Sequence, residues 1–405
     1  MAAPAHNGAP DREPGILFTA FEPSGDALAA PVVRAIRQIQ PDRPIWALGG
    51  PRMEAAGALL IEKTTAHASM FALAATRALQ HGRMLNRLRT WLADHRVASL
   101  VPVDSPAANW SICRLIRRTQ PKARIIHLAA PQVWAWARWR IARLRRLTDH
   151  VLCILPFEPA WFGERGVRAT FVGHPLFDAE GRRNETPTAL DPAGPRGACK
   201  LALLPGSRPK EISSNWPAML EAFGRLLAQR ENLVGLIAAT DEPAAQQLHQ
   251  IAHRGGVRLP TDNLELRVGQ TDAALRWCDL ALIVSGTATL QAAAHRKPMV
   301  ALFIVNRLTW HMFGRWIVRT RPLTLPNLVC ADDGCGIVVP ELVPHIGDVQ
   351  PICTSLDELI DDADARNRQL AGLEKIAARY RGLQFDQKAA GCILQGIDAH
   401  LLNCG

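Results

Sequence analysis

The chain has 405 residues, of which 48% are hydrophobic, and its formal net charge is +10. This length suits two domains of ordinary size, and the excess of positive charge favours anionic partners. No apolar run approaches the ~18 residues of a membrane span, so we expect any membrane contact to be peripheral. The nine cysteines form no Cys-x-x-Cys pair, which favours a reducing compartment without disulfides or structural zinc.

In the first half, short apolar runs alternate with helix-like stretches, after a polar tail at 1–14 that we expect to be disordered. The runs lie at 15–20, 45–48, 99–103, 125–128, 151–154 and 170–172. This alternation predicts a mostly parallel sheet covered by helices on both faces.

A polar segment with several prolines at 181–198 interrupts this rhythm and is the best linker candidate. Apolar runs then resume at 200–204, 233–238, 264–268, 280–284 and 299–303. We therefore predict two Rossmann-like α/β domains, at 15–180 and 199–375, that face each other across a cleft, with ligands at the C-terminal ends of the strands. Residues 376–405 are expected to form a helix that packs back on the first domain or on a partner subunit.

Two carboxylates in the first half directly follow predicted strands. Glu22 follows the first apolar run, and Asp104 follows the third. A carboxylate at a strand end can accept a proton from a sugar hydroxyl. The alternative for Asp104 is a turn-forming aspartate that bonds its own backbone. Ser24 or Asp26 is expected to cap the helix that follows Glu22.

Two turns in the second half have the composition of phosphate-binding turns. The first contains Gly206, Ser207 and Arg208, and the second contains Ser285, Gly286 and Thr287. Each follows an apolar strand and precedes a helix, whose free amides and dipole favour an anion. The alternative is an ordinary capped turn. Neither Walker A nor Gly-x-Gly-x-x-Gly occurs, which disfavours P-loop and dinucleotide enzymes.

Two amphipathic stretches combine apolar side chains with interleaved arginines. Their apolar members include Met70, Phe71 and Leu73 in the first, and Trp310, Phe313 and Trp316 in the second. Such stretches suit interfacial helices on an anionic membrane, although a core helix is an equal alternative for each. A separate arginine-rich run lies at 138–146.

Taken together, these motifs resemble those of lipid-A-disaccharide synthase, an inverting glycosyltransferase family of the GT-B fold. The Pro-Gln-Val-Trp-Ala-Trp run at 131–136 is especially specific. The other matching runs lie at 22–26, 49–53, 104–106, 154–159, 172–176, 203–208, 285–290, 325–327 and 339–342.

The resemblance implies that UDP-2,3-diacylglucosamine is joined to 2,3-diacylglucosamine 1-phosphate, giving the β-1,6-linked lipid A disaccharide and UDP. It implies that Asp104 is the general base, with Glu22 as the rival. It also implies that the phosphate-type turns, Gln291, Asn327 and Glu341 bind substrate. We expect no metal or other cofactor, because Arg208 and helix N-termini can stabilise the departing UDP.

The same resemblance places the protein in the cytoplasm, peripherally on the inner face of the inner membrane, where the anionic lipid surface is its partner. A homodimer is possible on this reading. A nucleic-acid partner is not expected, because no recognition motif accompanies the positive charge.

Several positions depart from the family pattern near the expected site. They are Phe21, Pro23, Ala107, Ala108, Ala130, Gln291 and Pro344. These departures keep two alternatives open. The first is another GT-B enzyme, with a different UDP-sugar or lipid acceptor or with epimerase activity. The second is a non-catalytic paralogue that binds UDP-sugar or lipid.

Gln291 stands where the family usually has a glutamate that would bond the ribose hydroxyls. An amide accepts one such bond but brings no charge, so we predict that Gln291→Glu tightens UDP binding. Calorimetric titration of UDP into both proteins measures the change. An unchanged or weaker affinity in the variant would contradict this placement of Gln291.

Overall fold

The computed structural model describes residues 13–65, 74–129, 131–135, 138–178, 197–305, 322–331, 334 and 336–402. The chain divides into two compact units. The first comprises Met1–Pro175 and Gly382–Gly405, and the second comprises Leu176–Arg381.

The first unit is built on a seven-stranded parallel sheet of order β3-β2-β1-β4-β5-β6-β7. Its strands are β1 (Gly15–Thr19), β2 (Ile45–Gly49), β3 (Leu59–Lys63), β4 (Val97–Pro102), β5 (Arg124–Leu128), β6 (His150–Cys153) and β7 (Ala169–Phe171). The helices between them are α1 (Pro23–Ile39), α2 (Pro51–Ala55), α3 (Ala74–Asp94), α4 (Pro106–Thr119), α5 (Ile141–Leu147) and α6 (Glu158–Gly163).

Helices cover both faces of this sheet, which is why its central strand is a continuous apolar run. All of β1 is buried. Ile16 and Phe18 pack in the cluster that contains Val33 and Ile36 of α1. Leu17 points the other way, into the cluster that contains Leu88 of α3 and further apolar residues of α4. The two-residue period of the strand therefore supplies both layers of the core.

The second unit repeats the plan with a six-stranded parallel sheet of order β10-β9-β8-β11-β12-β13. Its strands are β8 (Cys199–Leu204), β9 (Leu233–Ala239), β10 (Leu264–Val268), β11 (Leu280–Val284), β12 (Met299–Ile304) and β13 (Glu341–His345). Its helices are α7 (Pro209–Gln229), α8 (Glu242–Arg254), α9 (Thr271–Trp277), α10 (Thr287–Ala294), α11 (Leu325–Ala331), α12 (Gln350–Asp361) and α13 (Ala363–Ala378).

The last helix, α14 (Phe385–Leu402), belongs to the first unit. Phe385, Ala389 and Ile393 on this helix are buried in the same cluster as Ile16 and Phe18. The chain thus returns to the first sheet after completing the second.

Two parallel-sheet α/β domains confirm the predicted fold class. Two strands, β3 and β13, were not predicted from the sequence, and both lie at the edge of a sheet. Their residues are mostly half-buried rather than fully buried. Because neither strand is covered completely, neither has the continuous apolar run of a strand that is buried on both faces.

The expected cap of α1 is wrong. Glu22 precedes α1, which begins at Pro23 without a side-chain cap. The buried carboxylate of Asp26 instead accepts hydrogen bonds from the amides of Gly50, Arg52 and Met53, at 3.0, 3.0 and 3.1 Å, and so caps α2. A Cβ at Gly50 would lie 2.5 Å from Oδ2 of Asp26, so this contact requires glycine.

Several predicted segments lie wholly or mostly outside the described residues. They are the N-terminal tail at 1–14 apart from 13 and 14, the linker at 181–198 apart from 197 and 198, Ala130, and the six apolar residues of the two amphipathic stretches. Among the described helices, none has both the length and the apolar character that crossing a membrane requires.

A buried carboxylate lies at the start of α6. Glu158 is 1% exposed, and it accepts the indole N–H of Trp134 at 3.0 Å and the amide of Leu155 at 3.1 Å. Burial raises the pKa of Glu158 from 4.5 to about 7, although these donors oppose the shift. The folded chain therefore holds a proton that the unfolded chain releases between these two values.

Rising pH should accordingly destabilise the wild type relative to Glu158→Gln. Between the unfolded pKa of Glu158, 4.5, and its folded pKa of about 7, the free energy of unfolding of the wild type falls by about 1 kcal/mol for each pH unit. Urea unfolding of both proteins at about pH 5 and about pH 7.5 measures the difference. The exposed Glu164, changed to Gln, is the control; a difference for Glu158→Gln that does not move with pH would contradict the assignment.

Candidate active site

Both sheets have a topological switch point at their first strand. In the first sheet, β1 lies between β2, the next strand in the chain, and β4. In the second sheet, β8 lies in the same way between β9 and β11. Crevices outside the carboxyl ends of such strand pairs are where open α/β sheets bind ligands. The two predicted carboxylates follow β1 and β4, and the two predicted phosphate-type turns follow β8 and β11.

In the first unit, the two candidate carboxylates follow neighbouring strands. β1 and β4 pair in parallel, with Thr19 opposite Pro102, so Glu22 and Asp104 leave the sheet at the same edge. Glu22 is exposed, and Asp104 is half-buried. This edge therefore presents one solvated carboxylate and one held against the protein.

The backbone at this edge is strained. Asp104 and Ser105 have φ values of 47° and 23°, and Ala129, at the end of the neighbouring β5, has a φ of 54°. Among the described residues, these are three of the four non-glycine residues with positive φ. Each such residue costs about 1–3 kcal/mol, and such strain concentrates at functional sites.

In the second unit, the turn after β8 is already occupied by a carboxylate. Oε2 of Glu211 accepts the amides of Ser207 and Arg208 at 3.3 Å each, and its Oε1 accepts the Arg208 guanidinium at 2.9 Å. Gly206 has a φ of 103°, and a Cβ there would lie 3.0 Å from Glu211. The turn thus packs closely against the Glu211 carboxylate.

The sequence analysis missed Glu211, although a signal was available. A glutamate three residues after the residue that precedes a helix is the spacing of a capping box. The contact shows that the turn attracts negative charge, but also that an incoming anion must compete with Glu211 for its amides.

The second turn is open. α10 begins at Thr287 directly after β11, and Gly286 and Thr287 are exposed. Apart from Gly286 and its two chain neighbours, no atom of the described residues lies within 4 Å of the place where a Cβ would stand at Gly286. The first amides of a helix have no partner within the helix, so this end of α10 is the better anion seat of the two. Ser285 and Gln291 flank it, both half-buried.

The two turns are neighbours. β8 and β11 pair with Leu204 opposite Ile283, and a Cβ at Gly206 would lie 3.6 Å from the Val284 side chain. The exposed Arg208 guanidinium and the α10 N-terminus thus follow adjacent strand ends, as a diphosphate site requires.

Asn327 and Glu341 form a buried network instead of an open surface. The Asn327 amide donates to the Val339 carbonyl at 2.8 Å and to Oε2 of Glu341 at 2.9 Å, and its Oδ1 accepts the amides of Val338 and Val339. Asn327 is fully buried. Its hydrogen-bonding groups are therefore all used within the second unit.

Glu341 ties this network to the start of α11. Its carboxylate also accepts the amides of Leu323 and Thr324 and the Thr324 hydroxyl, at 2.9 to 3.2 Å. The carboxylate satisfies amides that precede the helix. Both residues thus shape the segment before α11.

The departures in the first unit also have a structural setting. The Phe21 ring lies 6.2 Å from the ring of His81 on α3. Nε2 of His81 lies 2.6 Å from the Ser111 hydroxyl, which donates to the Ala108 carbonyl at 2.9 Å. Phe21, next to Glu22 in the chain, therefore packs against α3.

Comparison with known proteins identifies the family of the chain. The family model of lipid-A-disaccharide synthetase matches residues 16–395. The lipid-A-disaccharide synthase of Verminephrobacter eiseniae is 32% identical over 392 residues, covering 95% of this chain and 97% of that protein. The enzyme of the same name from Aromatoleum aromaticum is 34% identical over 363 residues, covering 86% and 88%.

Solved structures share the fold at low identity. The UDP co-structure of Staphylococcus aureus MnaA has a TM-score of 0.66 at 15% identity, covering 96% of this chain and 97% of that one. The UDP-GlcNAc 2-epimerase of Neisseria meningitidis bound to UDP-GlcNAc has a TM-score of 0.62 at 12% identity, covering 96% and 100%. These similarities show the two-domain fold alone.

The family model and the curated relatives agree along nearly the whole chain. The sequence identities of the two solved structures are less than half those of the curated relatives, so these structures show a shared fold and no activity. The chain belongs to the lipid-A-disaccharide synthase family and is a hexosyltransferase of lipid A biosynthesis.

Proposed function

We propose that the protein transfers 2,3-diacylglucosamine from UDP to the 6-hydroxyl of 2,3-diacylglucosamine 1-phosphate, with inversion, giving the β-1,6-linked disaccharide and UDP. The observation that carries this proposal is family membership over residues 16–395. Its chemical support is that the first unit has a carboxylate edge and that the second unit has an edge suited to an anion.

The second unit holds the UDP diphosphate. The free amides at the start of α10 take one phosphate, because a helix N-terminus favours negative charge. Arg208 is 64% exposed on the surface, so its guanidinium can exchange the Glu211 carboxylate for the other phosphate at little cost. These two donors stabilise the negative charge on the departing UDP. Gln291, on the α10 face that also carries Thr287, binds the ribose.

The first unit holds the acceptor. Asp104 takes the proton from the acceptor 6-hydroxyl as that oxygen attacks the anomeric carbon of the donor. The new bond forms on the face opposite the diphosphate, the bond from the anomeric carbon to UDP breaks, and UDP leaves with the electron pair. Glu22 is exposed at the same edge, and it is the rival for the proton.

We predict that Asp104→Asn lowers kcat by about 10²- to 10⁴-fold, the usual contribution of a general base, with UDP affinity unchanged. Glu22→Gln should cost less. The measurement is UDP release from the two acylated substrates. Asp94→Asn, an exposed aspartate at the end of α3, is the matched control. Near-normal rates in both Asp104→Asn and Glu22→Gln would show that neither is the base.

The membrane surface is the proposed partner, and a described part of the first unit supports it. α5 and the short 3-10 turn before it, Arg138–Arg140, carry five arginines without any acidic residue between 138 and 148. Trp139 is 73% exposed. An exposed indole among guanidinium groups suits the headgroup region of an anionic bilayer.

Four of the five arginines on this surface have no acidic partner among the residues that the structure describes. Within the described part of the chain, Arg138, Arg143, Arg145 and Arg146 form no salt bridge, unlike Arg117 and Arg165. The Arg143 guanidinium instead lies 4.5 Å from the ring centroid of Trp110, a cation–π contact that keeps its charge.

The double variant Arg145→Gln/Arg146→Gln should weaken binding to vesicles that contain anionic phospholipid by about thirtyfold, because each arginine near such a surface contributes about 1 kcal/mol and about 1.4 kcal/mol is a factor of ten. Co-sedimentation with vesicles measures this. The control is Arg254→Gln/Arg258→Gln, which removes equal charge from exposed positions in the second unit. Equal losses in both variants would contradict the assignment of this surface.

A further inference from the structure

Three fully buried polar side chains surround the backbone of Asp104. They are Thr19 at the end of β1, Asn109 in α4 and His127 in β5. The Thr19 hydroxyl donates to Oδ1 of Asn109 at 2.6 Å. The Asn109 amide donates to the carbonyls of Val103 and Asp104, at 3.2 Å each.

His127 bonds the same carbonyl from the other side. Its Nε2 lies 3.2 Å from the Asp104 carbonyl oxygen. Burial lowers the pKa of His127 to about 4, so the ring is neutral near physiological pH and carries one proton. A carbonyl only accepts hydrogen bonds, and the proton is therefore on Nε2.

The other ring nitrogen has no such use. Nδ1 of His127 is buried, and within the described part of the chain it has no hydrogen-bond partner. A buried acceptor without a partner costs free energy. The ring therefore donates from Nε2 to the Asp104 carbonyl while Nδ1 stays without a hydrogen bond.

That carbonyl belongs to the strained turn. Asp104 and Ser105 are consecutive residues with left-handed φ values of 47° and 23°, a conformation that persists only where the surroundings hold it. Donors from two separate elements fix the carbonyl, and the direction of the Cα–Cβ bond follows from the same backbone angles. The buried groups thereby fix the direction in which the Asp104 side chain leaves the backbone.

We infer that Thr19, Asn109 and His127 are positioning residues, which act through the Asp104 backbone to aim its carboxylate at the acceptor hydroxyl. The inference rests on the proposed role of Asp104 as the base. It assigns the strain at Ser105 to the same task, since a relaxed right-handed turn would direct the carboxylate elsewhere.

The test is a rescue series measured by steady-state UDP release. His127→Leu should lower kcat by about tenfold to hundredfold, the cost of a misplaced catalytic group, with KM for the UDP-sugar nearly unchanged. His127→Gln should recover most of kcat, because its amide can donate to the same carbonyl. Adding Ser105→Gly to His127→Leu should also recover part of kcat, because glycine adopts positive φ without strain.

The control is His150→Leu, at another buried histidine of the first unit, whose Nε2 contacts the Thr170 hydroxyl at 2.9 Å. It should lower the unfolding temperature without a selective loss of kcat, and Ser105→Gly should not rescue it. Should His127→Leu fail to fold, Thr19→Val removes one hydroxyl of the same cluster at nearly constant volume. Its kcat should fall in the same selective way.

The outcomes separate this inference from the proposed function. An inactive Asp104→Asn beside a His127→Leu variant with wild-type kcat overturns the positioning role alone. Losses in His127→Leu that neither Gln at 127 nor Gly at 105 recovers also overturn it, because they show a packing role. A fully active Asp104→Asn overturns the positioning role together with the assignment of Asp104 as the base, whereas a wild-type protein that releases no UDP from the two acylated substrates overturns the proposed function itself.

Discussion

The site depends on one constraint, the order of strands in two parallel sheets. In each sheet the chain builds outward from its first strand in one direction and later returns to that strand's other side. The helices that follow these central strands then diverge to opposite faces, which leaves the strand ends uncovered. Every strand-end candidate for chemistry, from Glu22 to Thr287, depends on that gap.

The carboxyl-end edges of the two sheets differ in the charged groups that they present. In the first unit, Asp104 is kept half-buried on a strained turn while Glu22 stays in solvent. In the second unit, Glu211 neutralises the turn after β8, and the start of α10 stays open. Under the proposed function, the carboxylate edge of the first unit removes a proton from the acceptor, and the anion-accepting edge of the second unit stabilises the charge on UDP.

Much of the fold could be predicted because central strands are covered on both faces and so read as apolar runs. The runs at 15–20 and 280–284 agree with β1 and β11 to within one residue. The strands β3 and β13 were not predicted because their residues are mostly half-buried and form no continuous apolar run. Asp26 was assigned to the wrong helix, since a capping side chain is recognised from the sequence only when its helix follows directly.

By itself, the sequence determined the family, the two α/β units and the positions of carboxylates and phosphate-type turns at strand ends, because these depend on local pattern and on motif order. Only the tertiary structure decided which groups are free to act. The contact of Glu211 with the turn at Arg208 joins residues that are close in the chain. The contact of Asp26 with α2 and the contacts of Thr19 and His127 join residues that lie far apart in the chain. Sequence periodicity gives the direction of a side chain from its own element, whereas its partner is set by the packing of elements against one another.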